Sequence, residues 1–139
     1  MRVLKEFLLS EKELFKLIDY IKYLAKENGV FLLRGDLASG KTTLVKAFCK
    51  NLGIGDASSP TFSILNIYKD KVYHYDIYNK GLREFISMGL LENLEEEGYH
   101  FIEWGDEKLE KILRDYGIDY FVIEIEPKGD KRLYRVKYA

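Results

Sequence analysis

The stretch Leu32–Phe48, LLRGDLASGKTTLVKAF, sets two glycines, a lysine and two threonines between two apolar segments. Gly35 and Gly40 bracket four residues, and Lys41 and Thr42 follow directly. This is the phosphate-loop spacing, and each residue type in it has a chemical reason. Glycines let the backbone wrap so that successive N–H groups face phosphate oxygens, with no Cβ in the way. A helix opening near Lys41 adds the positive end of its dipole. The Lys41 ammonium suits the β- and γ-phosphates, and the Thr42 hydroxyl suits magnesium. The flanks agree. Val30–Leu33 is the unbroken apolar run of a strand buried on both faces, and an apolar-periodic helix follows from about Lys41 to Leu52. The expected ligand is a nucleoside triphosphate.

Outward from the loop, the chain's 139 residues fit one domain, 1–139. Its 47% hydrophobic and 14% aromatic content excludes disorder. A net charge of -1 gives no electrostatic reason for tight binding of bare nucleic acid. Cys49 stands alone, so it has no internal disulfide partner, and its place in an apolar helical pattern suits a small buried hydrophobe better than a catalytic thiol. With two histidines and no cysteine cluster, a zinc site is not expected. The N-terminal MRVLKEFLLSEKEL meets charge again after three apolar residues, which fits neither a secretion signal nor a membrane span. A cytoplasmic location with no membrane contact is expected.

The element pattern is α/β. RVLKEFLL reads as a strand, and Ser10 can cap a following helix with Glu11 and Glu13 in its first turn. Leu14, Leu17, Ile18, Ile21, Leu24 and Ala25 give that helix its buried stripe, and Gly29 is placed to end it. TFSILNIY and KVYHYDIY read as two strands joined by a tight turn at Lys69–Lys71. LLENLEEEG reads as an acidic helical stretch, YHFIEW as a strand, and DEKLEKILRDYG as a helix. DYFVIEIE and RLYRVKY close the chain as strands around a turn at PKGD. Strands alternating with helices predict a three-layer domain of the P-loop NTPase kind, with a mixed, largely parallel sheet and antiparallel hairpins.

A phosphate loop needs a second magnesium anchor at the end of a neighbouring strand. YHFIEW supplies the acid Glu103 at such an end, where ligands collect in open α/β sheets. Glu in place of the more usual Asp gives a longer arm, able to reach the metal or to hold an attacking water. Trp104 is either a core aromatic or a neighbour of the site. In VYHYDIY the period-two rule puts His74, Asp76 and Tyr78 on one face. A carboxylate beside an imidazole can orient water or take its proton, though plain strand polarity gives the same pattern. In SSPTF, Pro60 stiffens a loop and Thr61 carries a hydroxyl twenty residues beyond Lys41. A loop at that position senses the γ-phosphate in other phosphate-loop enzymes, but on local grounds a Ser-Pro turn opening a strand accounts for these residues better.

Taken together, GDLASGKTT, SSPTF, HYDIY and IEW, in this order and spacing, resemble the TsaE family over nearly the whole chain. Its members are small bacterial ATPases needed for the threonylcarbamoyl modification of adenosine 37 in tRNA. The resemblance implies that ATP lies along Gly35, Asp36, Leu37, Ala38, Ser39, Gly40, Lys41, Thr42 and Thr43. It implies that Thr42 and Glu103 hold Mg2+, that Asp76 serves hydrolysis, and that Thr61 belongs to a switch-like loop. Glu11 and Arg132 fall where family members approach the nucleotide. The implied partners are TsaD- and TsaB-like proteins, which carry out the transfer while the ATPase couples hydrolysis to a conformational step. tRNA is then met only through that complex. The sequence departs from the family at Ala38, where a glycine is usual, at Asn79, where an arginine is common, and at Gly105, where proline is frequent. A small-molecule kinase is the rival, set against by Arg83 being the only arginine between Lys41 and Trp104, where a lid would need several. A non-hydrolysing nucleotide-dependent interaction module is the other, set against by Asp76 and Glu103.

Overall fold

The computed structural model describes residues 2–36, 38–55, 64–78 and 81–138. In chain order it runs β1 (Arg2–Leu9), α1 (Phe15–Leu24), β2 (Gly29–Arg34), α2 (Lys41–Asn51), β3 (Leu65–Tyr68) and β4 (Val72–Asp76). Then come α3 (Gly81–Ser87), α4 (Leu90–Asn93), β5 (Tyr99–Glu103), α5 (Glu107–Asp115), β6 (Phe121–Lys128) and β7 (Lys131–Tyr138). The strands form one seven-stranded sheet in the order β1-β7-β6-β2-β5-β4-β3. Its centre, β6-β2-β5-β4, is parallel, and β1, β7 and β3 join by antiparallel pairing. This is the expected mixed sheet with antiparallel hairpins.

Alternation along the central strands makes the layers. Phe31, Leu33 and Phe101 face α1 and α2, whose Leu17, Ile18, Ile21, Leu44, Val45 and Phe48 complete that core. Val30, Leu32, Tyr75, Ile102 and Val122 face the other way, against Phe85 of α3, Leu90 and Leu91 of α4, and Leu109 and Leu113 of α5. Because both faces are covered, β2 reads as a continuous apolar run. Cys49 lies fully buried in the first core, and burial pushes its thiol up to about 11, so it is the inert hydrophobe expected.

The path beyond β2 leads through α2 to β4 on one side of β5, and the path beyond β5 leads through α5 to β6 on the other side of β2. The C-terminal ends of β2 and β5 are therefore where the winding reverses, and such a switch point leaves a crevice. In register, Leu33 sits beside Glu103, and Asp76 beside Glu103 from the other side.

Local chemistry explains several element ends. The Glu13 carboxylate accepts from both the backbone N–H and the hydroxyl of Ser10, at 3.0 and 3.1 Å, closing a single 3-10 turn (Glu11–Glu13) ahead of α1. Asp106 caps α5 by accepting from the N–H groups of Lys108 and Leu109, both at 3.1 Å. The β3–β4 hairpin turns through Lys69 and Asp70, with φ of 52° and 55°, as a type I′ turn demands at both central positions. Two expectations fail. Gly29 does not end α1, which stops at Leu24; it opens β2, and glycine is needed there because a Cβ would come 2.6 Å from the Ala25 Cβ. The helix α3 was not foreseen, since only Phe85 of its seven residues is fully committed to the core and the apolar stripe is too short to show a period. No helix among the described residues is long and apolar enough to cross a membrane.

Away from the switch point, a buried hydrogen-bond chain fixes the start of β5. Asn93 donates to the Tyr75 hydroxyl at 3.1 Å, Tyr75 meets His100 Nδ1 at 2.6 Å, and His100 Nε2 meets the Glu96 carbonyl at 2.8 Å. A carbonyl only accepts, so Nε2 carries the proton and Nδ1 accepts from Tyr75. Burial holds the His100 pKa below its ordinary value, opposed by the Glu96 carbonyl and charge. The folded state therefore takes up this proton at lower pH than the unfolded chain. Stability is expected to fall as pH drops below about 6.5, the unfolded value, until the lowered folded pKa is reached. Urea unfolding between pH 7.5 and 5 should show that slope in the wild type and lose it in His100→Asn; equal slopes would mean that His100 titrates as it does in the unfolded chain.

Candidate functional site

The loop between β2 and α2 is shaped by contacts that exclude larger residues. A Cβ on Gly35 would press on the Ser39 side chain and come 2.7 Å from the Ile125 carbonyl. Gly40 has φ of 111°, and a Cβ there would come 2.8 Å from Nη1 of Arg132. Ala38 adopts φ of 63°, a left-handed conformation that costs an L-residue roughly 1–2 kcal/mol, so the loop keeps its path despite the lost glycine. The Ser39 N–H donates to the Asp36 carbonyl at 3.0 Å, and α2 starts at Lys41, directly behind Gly40. Leu37 lies outside the described residues.

Lys41 is 4% exposed. Its ammonium donates to the carbonyls of Gly35 at 2.7 Å and Asp36 at 2.9 Å, and approaches the Ser39 hydroxyl at 3.4 Å. The Trp104 ring covers it, centroid 4.0 Å from Nζ, in a cation–π contact. Burial lowers the Lys41 pKa, while the charges of Glu103, Asp76 and Asp36 pull it back up. Three carboxylates therefore act electrostatically on one desolvated cation at the switch point. Trp104 itself holds φ of 70° and is braced edge-on by Tyr78, ring centroids 4.6 Å apart. That answers the open question about Trp104: it is a neighbour of the site. Gly105 then packs tightly, since a Cβ would come 2.9 Å from Leu109 and 3.3 Å from Leu32. Close approach to α5 and β2 accounts for a glycine at this position.

On the other side of Lys41, the Thr42 hydroxyl donates to Glu103 Oε2 at 2.9 Å. His74 Nε2 meets the same oxygen. His74 thus pairs with Glu103, not with its strand-mate Asp76, because the parallel register sets the Glu103 backbone opposite Asp76 and the longer glutamate arm reaches back. Asp76 instead accepts from the Tyr78 N–H at 3.0 Å. Arg132 reaches Gly40 from β7, and Glu11 lines a groove of about 740 Å³ with Thr43, Lys46 and Phe15. The two charges are close enough that both act on Tyr134, whose pKa is raised first by burial, lowered by Arg132 and raised again by Glu11. Asp36, Lys41, Thr42, Asp76, Glu103 and Arg132 are thus gathered around the loop, while Glu11 lies in the groove beside Thr43. Thr61, Pro60 and Asn79 lie outside the described residues. The spacing of the motifs did not reveal the bracing of Trp104 by Tyr78 or the Gly40–Arg132 contact, which joins residues more than ninety positions apart.

The donor set suits a magnesium nucleotide. A glycine cradle that a Cβ would fill, a buried ammonium and a helix N-terminus favour phosphate, and the Thr42 hydroxyl beside Glu103 offers the oxygen donors that magnesium takes. Among the described residues, no group of three or more His, Cys, Asp or Glu side chains could hold a metal ion.

A seven-stranded α/β sheet with a glycine-bracketed loop at its switch point defines the P-loop NTPase-like class. Within that class, the family model described as "Threonylcarbamoyl adenosine biosynthesis protein TsaE" matches residues 8–135. The tRNA threonylcarbamoyladenosine biosynthesis protein TsaE of Aquifex aeolicus (strain VF5) is 38% identical, covering 97% of this chain and 99% of that protein. The protein of the same name from Bacillus subtilis (strain 168) is 34% identical, with 77% and 75% covered. A crystal structure of Bacillus subtilis YdiB superimposes with a TM-score of 0.65 at 26% identity, covering 100% of this chain and 89% of that one. The chain belongs to the TsaE family.

Proposed function

We propose that this chain is a magnesium-dependent ATPase serving threonylcarbamoyladenosine formation at position 37 of tRNA, as a single domain working in the cytoplasm. The observation that carries the reading is the arrangement around Lys41: a buried ammonium at the loop mouth, with Thr42 and Glu103 joined beside it. In this reading the loop amides and Lys41 bind the terminal phosphates, and Thr42 and Glu103 hold the cation. Bound magnesium supplies charge neutralisation as the γ-phosphoryl group leaves. Asp76 orients the attacking water, and Lys41 offsets the charge that develops on the phosphate oxygens. Glu11 and Arg132 approach the rest of the nucleotide.

A chain of 139 residues has little surface left to enclose the γ-phosphate, and an open site hydrolyses slowly because water screens its electrostatics. Turnover is therefore slow alone and rises when TsaD- and TsaB-like partners cover the nucleotide, with tRNA met through that complex. Phosphate release at saturating ATP, titrated with the partner complex, tests this. Stimulation is expected for the wild type and mostly lost in Thr61→Ala, with ATP affinity little changed. Equal stimulation of both proteins would remove the switch role from Thr61. No stimulation of the wild type would favour a kinase or a non-hydrolysing interaction module.

A further inference from the structure

His74 is 1% exposed, on the α2 side of the sheet, in register with Phe101 and so two rungs below the row formed by Asp76 and Glu103. Its Nε2 meets Glu103 Oε2, the same oxygen that accepts the Thr42 hydroxyl at 2.9 Å. The same oxygen already accepts the Thr42 hydroxyl, and with it as acceptor again Nε2 is the nitrogen that carries the hydrogen and donates. The other ring nitrogen, Nδ1, is buried and has no hydrogen-bond partner among the described residues. An apolar side chain in this place would avoid that unpartnered atom, as its surroundings of Val72 and Phe101 invite. What only the imidazole supplies is the N–H directed at Glu103. Glutamate has one more torsion to fix than aspartate at the same strand end. Thr42 meets Oε2 from the helix and His74 meets it from the sheet, so the same oxygen is held from two elements.

We propose that His74 is a positioning residue, pinning Oε2 of Glu103 so that the carboxylate stays turned toward the cation side of the phosphate loop. The proposal rests on the magnesium–nucleotide reading above. It makes the magnesium requirement depend on a residue that touches neither ligand. Outer-shell partners of this kind are worth roughly 10–100-fold in metal affinity.

The test is binding of a fluorescent ATP analogue to the full chain, titrated with Mg2+ and repeated in excess chelator. In His74→Phe the Mg2+ midpoint should rise by about tenfold or more, while metal-free binding, which depends on Lys41 and the loop, stays close to wild type. His74→Gln, whose amide N–H can reach the same oxygen, should restore most of the midpoint. An unchanged midpoint in His74→Phe overturns the proposal. So does a matching loss of metal-free binding, which is the signature of a merely structural role, or a folded His74→Gln that behaves like His74→Phe. A readout independent of any nucleotide is the long-range 1H–15N spectrum of the free protein, expected to show the His74 proton on Nε2; an Nδ1–H form overturns the proposal. Wild-type protein that binds no nucleotide, yet shows the Nε2–H form, overturns instead the reading of the site on which the proposal is built.

Discussion

Lys41→Ala is expected to weaken ATP binding by far more than tenfold, on the order of a hundredfold, or about 3 kcal/mol. The size follows from where the ammonium sits. It is buried, capped by the Trp104 ring and held by the Gly35 and Asp36 carbonyls at 2.7 and 2.9 Å, so its place is set before a ligand arrives. A charge already desolvated and oriented interacts with phosphate more strongly than one recruited from solvent. Removing it leaves the terminal phosphates poorly neutralised and strips two loop carbonyls of their donor. The alanine variant should still fold, because α2 holds the core through Leu44, Val45 and Phe48 rather than through Lys41. Titration with a fluorescent ATP analogue, alongside a thermal melt, separates the two effects. Unchanged affinity would remove the phosphate-binding role from the loop.

That expectation is legible in the sequence alone, and the reason is physical. A phosphate loop is contiguous: strand, glycines, lysine, hydroxyl and helix follow one another, so spacing alone conveys the chemistry. The buried β2 and the stripe of α1 were legible on the same local terms, since covered faces impose continuous or periodic apolar runs. What was not legible depends on register and crossover. Period two along β4 groups His74 with Asp76, but only the parallel pairing with β5 brings Glu103 within reach of His74. The choice of Glu over Asp at that strand end then acquires a reason that no single strand displays. Gly29 misled for a related cause: a glycine after a helical stripe usually ends a helix, whereas this one lets β2 pass close to Ala25. The φ of 70° at Trp104 was equally invisible, because a positive φ at tryptophan follows from tertiary contacts and not from residue type.

The second large effect is expected at Asp76, and it concerns chemistry rather than affinity. The two carboxylates at the switch point are neighbours in register but differ in their partners. Glu103 is 4% exposed and its Oε2 takes donors from both Thr42 and His74, as suits a group that holds a cation. Asp76 is less deeply buried and takes the Tyr78 backbone N–H on Oδ1, a bond that sets the side chain. Asn in its place keeps an oxygen for the Tyr78 amide and nearly the same shape, but loses the carboxylate's basicity and charge. Asp76→Asn should therefore bind magnesium nucleotide with near wild-type affinity and hydrolyse it on the order of 10²-fold more slowly. Glu103→Ala should behave differently, losing magnesium-dependent binding and turnover together, because the cation is lost before chemistry begins. Single-turnover phosphate release in the presence of the partner complex, paired with nucleotide titrations at several Mg2+ concentrations, distinguishes the two patterns. Normal hydrolysis by Asp76→Asn would make Asp76 a strand-end acid that braces Tyr78, and would leave Glu103 as the remaining candidate for orienting the attacking water.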